Sequence, residues 1–405
     1  MNSSKNIKYQ TTLMKYTIYF ASLLLVIYCS SCGTKNQDPN TLFSIEIQGN
    51  KKAVSNIDTV KFSVKSKKGN SIDSVTYSVN GEKTIANEAF QGSFDFSNTT
   101  LGDKVISAEI KSGGESYRVS KSITVLSSKA PIVYDYKILE TYPHDINAYT
   151  QGLEFVGDVL YESTGQYGES TLRKTDYKTG RVEKNIALDG QYFAEGLTIV
   201  KDKLYQLTWR ESMGFIYNLE TLEKTGTFAY NKSKQGWGLC NDGNSLYKSD
   251  GTSKIWKLNS ETLEKTGTFA YNKSKQGWGL CNDGNTLYKS DGTSKIWKLN
   301  PETLAEEGYI EMYTNKSKID YLNELEWIDG AIYANIYTKP FIAIIDPTNG
   351  AIKGVINLKG LKKKVTQHNK LNVLNGIASR GEPNIIYVTG KNWDKLFKIE
   401  FFEKK

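Results

Sequence analysis

A passage of forty residues occurs twice in tandem, and this repeat limits what the chain can fold into. Residues Glu220–Asn259 return as Glu261–Asn300 with one difference, Ser245 in the first copy and Thr286 in the second. Because the two copies are nearly identical, the passage is a recent duplication of one structural unit rather than the remnant of an old one. A chain that accepts a further copy of one unit is expected to have a repeat architecture.

Similar units occur outside the duplicated passage. Six segments begin alike: "QGLEF" at 151, "EGLTI" at 195, "WGLCN" at 237 and 278, "NELEW" at 323 and "NGIAS" at 375. Each continues into a hydrophobic strand such as "DVLYESTG", and most into a third strand such as "SKIWKLN". Several short strands recurring every forty to fifty residues or so predict a β-propeller. We expect the duplicated passage to be one whole blade, and residues 133–143 to close the ring by pairing with the carboxyl-terminal strands. A solenoid is the less favoured alternative, because no capping units stand out.

The amino-terminal third has a different pattern. From residue 42 to about 127 apolar and polar residues alternate in segments such as "TVKFSVKSK" and "DKVISAEIKS", separated by Gly, Asn and Ser turns. The fold class is therefore all-β, with an immunoglobulin-like sandwich at 42–127 and the propeller at 132–405. No cluster of chemically active side chains stands out in the sandwich, so we expect it to be a spacer or docking module.

Residues 1–32 are typical of an export signal. Lys5, Lys8 and Lys15 precede the apolar run "YTIYFASLLLVIYC", which is too short to cross a bilayer comfortably. Small residues precede Cys32, as in a bacterial lipoprotein signal, so Cys32 is the expected lipidation site; Cys29 departs from that pattern, and simple secretion is the alternative. Residues 33–41 are polar and form a tether. We expect a monomer in the cell envelope of a bacterium, attached to the membrane only through this lipid.

Charge and cysteine content narrow the function further. The formal net charge of the 405 residues is +8, but basic and acidic residues are interleaved, and the densest basic run, Lys362–Lys364, is short. This distribution argues against nucleic-acid binding.

After removal of Cys29 and acylation of Cys32, only Cys240 and Cys281 remain. They are the same position in the two copies, and we interpret them as buried strand residues rather than a disulfide pair.

The first strand of each propeller blade lines the axis, so the six segment starts should lie close together. The residues gathered in this way combine one carboxylate with aromatic rings and amides, a composition typical of a binding pocket; they are Tyr149, Gln151, Phe193, Glu195, Trp237, Trp278, Asn323 and Asn375. The two histidines, His144 and His368, are too few for a histidine-rich zinc site and lack a nucleophile elbow. No cofactor is expected, and no ligand loop identifies a calcium ion on the axis.

The order of the motifs resembles the glutamine cyclotransferases of the plant and bacterial type. The matching stretches include "YPHDINAYTQGLEF", "YFAEGLTI", "LYQLTWRE", "GWGLCNDG", "LNELEWIDGAIYANIY", "LNGIA" and "VTGKNWDKLFKI", and they cover essentially all of residues 132–400. The resemblance implies a five-bladed propeller enzyme that converts the amino-terminal glutamine of a peptide or protein into pyroglutamate and releases ammonia. It does not extend to the amino-terminal sandwich.

The resemblance also implies roles for particular residues. Glu195 matches the catalytic glutamate, which takes a proton from the α-amine and returns one to the departing nitrogen. The implied substrate-binding residues are Tyr149, Gln151, Phe193, Trp209, Trp237, Trp278, Asn323, Tyr337 and Lys391. Within this set the aromatic residues would wall the glutamine side chain, and Asn323 and Lys391 would anchor the amine or stabilise an oxyanion.

Two features depart from the family pattern. Tyr337 stands where the family usually has tryptophan, and the duplicated passage adds a sixth blade to a five-bladed ring. Since catalytic groups must be placed within about 1 Å, an added blade can weaken catalysis. The main alternative to an enzyme is therefore a propeller that only binds peptide amino termini or another small ligand; an adhesion module is a third. We favour Trp237 over Trp278 as the pocket tryptophan, because it is beside the Glu195 blade.

Overall fold

A computed structural model describes residues 37–84, 86–87, 89–230, 235–251, 254–274 and 276–404. The predicted signal at 1–32, the lipidation site Cys32 and the first part of the tether lie outside the described residues. Among the described residues no helix has the length and apolar character needed to cross a membrane. Apart from the short helix α1 (Pro39–Leu42) and two 3-10 turns, the described chain is built from strands and connecting turns, which confirms the all-β prediction.

The amino-terminal part contains eight strands in two sheets. They are β1 (Phe43–Ile47), β2 (Ala53–Ser55), β3 (Thr59–Ser66), β4 (Ser74–Val79), β5 (Glu82–Thr84), β6 (Gln91–Asp95), β7 (Gly102–Ser112) and β8 (Glu115–Leu126). One sheet has the order β1-β3-β6 and the other β2-β8-β7-β4-β5. The buried, alternating side chains of both sheets share one core, in which the ring centroids of Phe62 and Tyr77 lie 4.9 Å apart.

The remaining strands form repeated antiparallel sheets. They are β9 (Ile132–Pro143), β10 (Thr150–Val156), β11 (Val159–Thr164), β12 (Thr171–Asp176), β13 (Arg181–Ala187), β14 (Ala194–Val200), β15 (Lys203–Thr208), β16 (Met213–Asn218), β17 (Lys224–Ala229), β18 (Leu239–Asn241), β19 (Ser245–Ser249), β20 (Lys254–Asn259), β21 (Lys265–Ala270), β22 (Leu280–Asn282), β23 (Leu287–Ser290), β24 (Lys295–Leu299), β25 (Glu306–Glu311), β26 (Leu322–Ile328), β27 (Ala331–Ile336), β28 (Phe341–Ile345), β29 (Ile352–Asn357), β30 (Leu374–Ala378), β31 (Ile385–Gly390) and β32 (Lys395–Glu403). Strands β10 to β25 form four successive four-stranded sheets, and the others form one eight-stranded sheet of order β26-β27-β28-β29-β9-β32-β31-β30.

Strand β9 joins the two ends of this arrangement. It pairs antiparallel with β32, from Pro143 opposite Lys395 to Tyr134 opposite Glu403. On its other edge it pairs parallel with β29, where Ile132 lies opposite Gly354. The predicted pairing of residues 133–143 with the carboxyl-terminal strands is therefore confirmed.

The first strands of the sheets face a common centre. Strands β10, β14, β18, β22, β26 and β30 contact one another in this order, and β30 also contacts β10. The sheets thus surround an axis in the manner of a propeller, and each first strand places its opening residues at the same end of that axis.

The duplicated passage is out of phase with the sheets, which corrects the expectation that one blade was copied whole. The first copy holds the outer strand β17 of one sheet and the three inner strands β18, β19 and β20 of the next. The second copy holds β21 and then β22, β23 and β24 in the same way. The unit has the length of one sheet, but the outer strand β25 of the last copied sheet lies beyond the identical passage and has the sequence "EEGYIE".

The amino-terminal sheets contact the larger part at its rim. The backbone N–H of Leu101 donates to the carbonyl of Asn349 at 2.9 Å, and that of Ser127 donates to Thr314 at 3.2 Å. The ring of Tyr313 packs into the amino-terminal core. These contacts lie at the connections of β25–β26 and β28–β29, away from the residues of the predicted site.

Candidate active site

Irregularities at the start of the inner strands aim the predicted site residues at the axis. The strand register shifts between Thr150 and Gly152 in β10 and between Ala194 and Leu197 in β14, so Gln151 and Glu195 lie in β-bulges. Equivalent shifts occur at the beginning of β26 and β30. A bulge frees a residue from the regular alternation of a strand and redirects its side chain. The recurring segment starts of the sequence are therefore the positions that the fold turns toward the centre.

A cavity of about 720 Å³ occupies the axis; we call it the axial cavity. Most of the predicted site residues line it, namely Gln151, Glu195, Trp237, Trp278, Asn323, Asn375, Tyr337 and Lys391. Three other predicted residues, Tyr149, Phe193 and Trp209, do not line the axial cavity directly and lie beside its mouth, the end at which Glu195 is found.

Glu195 is buried beside the Lys391 ammonium and the side-chain amide of Gln151. Burial raises the pKa of the Glu195 carboxyl to about 8, even though the Lys391 ammonium and a hydrogen bond with the Gln151 side chain favour the charged form; the nearby Glu211 adds to the rise. Burial also lowers the pKa of Lys391, and Glu195 opposes that shift. The Lys391 ammonium lies 4.7 Å from the centroid of the Tyr149 ring. A carboxyl whose pKa is near 8 can both accept and return a proton at neutral pH.

Two groups of aromatic rings lie at the end of the cavity where Glu195 is found, and we call them together the aromatic collar; the members are Trp209, Phe193 and Tyr149 in one group and Tyr337, Trp278 and Trp237 in the other. Neighbouring ring centroids lie 5.6 Å apart for Trp209 and Phe193, and 6.2 Å for Phe193 and Tyr149. The distances are 6.0 Å for Tyr337 and Trp278, and 6.1 Å for Trp278 and Trp237. Most of these pairs meet edge to face, which is a favourable geometry for aromatic rings. The aromatic collar gives the mouth of the axial cavity apolar walls.

Both tryptophans of the duplicated passage belong to the site. Their indole N–H groups donate at 2.8 Å to the side-chain carbonyls of Gln235 and Gln276, respectively. Each ring also lies against a glycine of the "SDG" turn, where a Cβ atom would come within 2.4 Å of Trp237 at Gly251 and 2.6 Å of Trp278 at Gly292. Trp237 is beside the Glu195 strand, because its carbonyl accepts the N–H of Gly196 at 3.4 Å. The duplication therefore places both Trp237 and Trp278 at the axial cavity, and not Trp237 alone.

Two buried lysines support the tryptophan loops, and sequence reasoning missed them. The Lys248 ammonium donates to the backbone carbonyl of Gln235 at 2.8 Å, and the Lys289 ammonium donates to that of Gln276 at 2.7 Å. Burial lowers the pKa of Lys248 to about 7 and that of Lys289 to about 8. A lysine in an amphipathic strand is ordinarily expected at the surface. The only sequence signal was the recurrence of "LYKSD" in both copies.

Three further glutamates line the axial cavity and were also missed; we call Glu154, Glu324 and Glu326 the deep carboxylates. Glu154 and Glu326 lie three residues further along β10 and β26 than Gln151 and Asn323. Burial raises the pKa of Glu154 to about 8, helped by the charge of Glu326, and it raises the pKa of Glu326 to about 7. Burial raises the pKa of Glu324 as well, again with a contribution from Glu326. Among the described residues no group of three or more His, Cys, Asp or Glu side chains is arranged to hold a metal ion.

Cys240 and Cys281, on β18 and β22, are free thiols that line the axial cavity. Burial raises the pKa of both thiols, to about 12 for Cys240. His144 and His368 lie outside the axial cavity. The His144 ring is buried; it bonds at 2.7 Å to the carbonyl of Trp393, in the loop that follows Lys391, and at 3.1 Å to Glu162 on β11.

Comparison with known proteins identifies the family. The glutamine cyclotransferase family model matches residues 115–268 and again 255–401. These two matches overlap at 255–268, in the duplicated region, and together they cover more than half of the chain. A glutaminyl-peptide cyclotransferase of Arabidopsis thaliana is 34% identical over 271 residues, which are 66% of this chain and 72% of that protein. The crystal structure of Myxococcus xanthus glutaminyl cyclase is 29% identical and covers 68% of this chain and 100% of its own, with a TM-score of 0.49. The chain belongs to the glutamine cyclotransferase family.

Proposed function

We propose that this protein is a glutaminyl-peptide cyclotransferase, which converts the amino-terminal glutamine of peptides or proteins into pyroglutamate and releases ammonia. The observation that carries the proposal is the meeting of Glu195, Gln151 and Lys391 at the mouth of the axial cavity inside the aromatic collar. Family membership supports the same reaction. A module that only binds peptides is not favoured, since Glu195, Gln151, Asn323 and Lys391 still line one cavity despite the duplication.

The reaction needs one group that moves a proton in both directions. The nitrogen of the α-amine attacks the carbon of the side-chain carboxamide, and a new C–N bond closes a five-membered lactam. The bond from that carbon to the amide nitrogen breaks, and this nitrogen leaves as ammonia. Glu195 accepts the proton that the attacking amine loses and donates it to the leaving nitrogen, so no proton is gained or lost overall. An ordinary α-amine has a pKa of about 8, which matches the raised pKa of Glu195.

The neighbours of Glu195 have distinct roles in this proposal. Gln151 holds the carboxylate by a hydrogen bond and fixes its direction, while the Lys391 ammonium faces the same carboxylate and offsets the charge that develops on the carboxamide oxygen. Asn323 contributes its side-chain amide to the cavity wall. The aromatic collar excludes water around the glutamine side chain, which strengthens these electrostatic contacts.

The direct test is to incubate the protein with a glutamine-led dipeptide and to measure ammonia release and product mass. We expect one ammonia per peptide, well above spontaneous cyclisation, and a loss of turnover of at least about a thousandfold in Glu195→Gln. The substituted protein should still fold, as checked by its far-UV circular dichroism spectrum. Unchanged turnover in Glu195→Gln would remove Glu195 from the central role.

The finer features of the fold belong to the same proposal. We infer six propeller blades, because six inner strands contact one another in a closed order, and an immunoglobulin-like domain at 42–127, because two sheets share one core. Excision of residues 220–260, one full period of the duplication, should then leave a protein that folds with one sheet fewer. An unfolded product would argue against independent blades.

Export and lipid attachment are likewise proposed, on the basis of the amino-terminal sequence alone. Lipidation at Cys32 would place the protein in the bacterial cell envelope on the exported side. Replacing Cys32 by Ala should move the protein from the membrane fraction to the soluble exported fraction. Retention in the membrane fraction would contradict a lipid anchor at this residue.

A further inference from the structure

The two sides of the aromatic collar differ in how well their outer surfaces are covered. On the side that carries Trp209, the guanidinium of Arg210 lies 3.7 Å from the centroid of the Trp209 ring. Nearby, the hydroxyl of Tyr167 donates to Glu211 at 3.0 Å, and the same carboxylate accepts the backbone N–H of Arg210 at 3.1 Å. Polar groups of the protein therefore contact Trp209 on this side, and the exposed ring there is that of Tyr167, which packs on Phe193 outside the axial cavity.

The opposite side exposes aromatic surface to the mouth. The rings of Trp278 and Tyr337 meet at 78°, with centroids 6.0 Å apart, and form a corner. The Tyr337 residue is 44% exposed, and Tyr321, whose carbonyl accepts the N–H of Tyr337 at 2.8 Å, is 60% exposed. Large exposed aromatic residues that are grouped at the mouth of a cavity are typical of a binding surface rather than of ordinary protein surface.

The duplicated passage divides its two tryptophans between two positions. Trp237 is joined to the Glu195 strand through Gly196, whereas Trp278 lies one inner strand further away and contacts Tyr337. The two indole planes are inclined by only 25° at a centroid separation of 6.1 Å, which leaves too little room for a third ring between them. Trp237 is therefore the tryptophan nearer to Glu195, and Trp278 is the one that lines the cavity beside Tyr337.

We propose that Trp278 and Tyr337 form a subsite for the side chain of the residue that follows the amino-terminal glutamine, and that this subsite takes large apolar or aromatic side chains. The inference rests on the proposed function. The α-amine and the side chain of the glutamine react at Glu195, so the rest of the substrate must continue from the glutamine carbonyl out through the mouth. There the Trp278–Tyr337 corner lines the axial cavity, which the aromatic rings on the Trp209 side do not, and an apolar side chain gains most by burial against it.

The test compares two substrates that differ only in the second residue, Gln-Phe-amide and Gln-Gly-amide. For the wild-type protein we expect kcat/KM to be about tenfold higher for Gln-Phe-amide, the size of effect that one well-placed apolar contact produces. In Trp278→Ala this ratio should fall to about one, and in Trp278→Phe it should stay at an intermediate value.

Matched variants show whether a change in kcat/KM comes from the loss of this subsite or from a general loss of activity. Trp237→Ala, the same substitution at the equivalent position of the other copy, should lower kcat/KM for both substrates by similar factors and leave their ratio near the wild-type value. Tyr337→Ala removes the other wall of the corner from a half-exposed position. It should lower the ratio at least fivefold, and it provides the test if Trp278→Ala fails to fold.

The outcomes distinguish this inference from the proposed function. If the wild-type protein turns over both substrates without a preference, or if Trp278→Ala and Tyr337→Ala leave the ratio unchanged, the subsite is wrong and the cyclotransferase function stands. If the folded wild-type protein releases no ammonia from either substrate, the proposed function is wrong and the subsite is overturned with it.

Discussion

The mouth and the deep end of the axial cavity both contain buried glutamates, but within the described part of the chain a cation acts on the glutamate at the mouth alone. Glu195 faces the Lys391 ammonium and the Gln151 amide, which hold its pKa below the value that burial alone would give. Among the described residues no lysine or arginine lowers the pKa of the deep carboxylates, and Glu326 raises the pKa of both Glu154 and Glu324.

The cation beside Glu195 distinguishes a carboxylate that is expected to react from carboxyl groups that are expected only to line the cavity. A buried carboxyl without a cation stays protonated until the pH approaches its raised pKa, because a lone buried charge costs several kcal/mol. The deep carboxylates have no such cation to stabilise their charged forms, and for Glu326 the charged form appears only as the pH rises through about 7. Glu195 has a similarly raised pKa, but the Lys391 ammonium beside it stabilises the charge that it must carry during a reaction. Catalysis is expected at the mouth and not at the deep end.

After the loss of Glu195 itself, the largest expected effect comes from removing the cation at the mouth. Lys391→Met should lower kcat/KM about a hundredfold to a thousandfold, the range found when one group that stabilises an oxyanion is lost. Because the ammonium favours the charged form of Glu195, its loss raises the pKa of Glu195 further. The acid limb of the pH profile of kcat/KM should then move to higher pH.

A substitution that keeps the positive charge but changes the shape of the side chain provides the control for this prediction. Lys391→Arg keeps a cation beside Glu195 with a different shape, so it should lose activity while the acid limb stays close to its wild-type position. An acid limb that does not move in Lys391→Met would mean that Lys391 does not set the charge state of Glu195, and the contrast between the two ends would lose its main support.

The second prediction concerns the buried ion pair behind the mouth. Burial alone would lower the pKa of His144, but the Glu162 carboxylate and the Trp393 carbonyl have a larger effect, so the pKa is raised. Burial alone would raise the pKa of Glu162, but His144 and Arg173 have a larger effect, so this pKa is lowered. His144→Asn leaves the Glu162 carboxylate without its partner. The free energy of unfolding should fall by about 3 kcal/mol, as expected for breaking a buried pair.

The pH dependence of this loss follows from the two shifts. The contribution of His144 to the free energy of unfolding is complete below its ordinary pKa of 6.5, and it is lost as the pH rises through the raised pKa of the folded protein. The contribution of Glu162 is complete above its ordinary 4.5 and is lost as the pH falls through its lowered value. Denaturant unfolding should therefore show the largest deficit between pH 4.5 and 6.5. His368→Asn is the matched control, since within the described part of the chain its ring bonds to a backbone carbonyl, that of Asn392, and forms no ion pair; an equal loss there would contradict a special ion pair.

Much of the mouth could be predicted from the sequence, because its residues stand at recurring positions. Gln151, Glu195 and Asn323 each open a segment with the same pattern, and bulges at these points turn them to the axis. Lys391 and Trp209 do not open such segments, and only the family resemblance identified them. The closing role of β9 could be predicted because a ring needs a strand from one end of the chain to pair with the other.

Other features depend on three-dimensional packing that leaves no clear signal in the sequence. Glu154 and Glu326 look like ordinary polar strand residues until the inner strands converge. Lys248 is almost fully enclosed although lysine is usually exposed, because its ammonium finds a backbone carbonyl and lies 4.2 Å from the Tyr230 ring centroid. The phase of the duplication was also hidden, since a tandem repeat has no intrinsic starting point.

The smallest predicted effect tests the deep end. The pKa of Glu326 rises from 4.5 to about 7 on folding, so the folded protein holds a proton that the unfolded chain releases, and stability is lost as the pH rises through this window. Glu326→Gln removes that loss. The variant should be more stable than the wild type by about 1–3 kcal/mol at pH 8 and no more stable at pH 4. Thermal unfolding at the two pH values measures the difference, with Glu400→Gln on the exposed surface as a control that should change stability by less than about 0.5 kcal/mol.

The activity of the same variant decides whether the comparison between the two ends holds. If Glu326 is a neutral lining residue, Glu326→Gln keeps a group of the same size and polarity, and kcat/KM should stay within about threefold of the wild type. A loss as large as that expected for Lys391→Met would place Glu326 in the proton transfer. The deep carboxylates would then be a second proton reservoir connected to Glu195, and the separation of the axial cavity into a reactive mouth and a passive deep end would have to be given up.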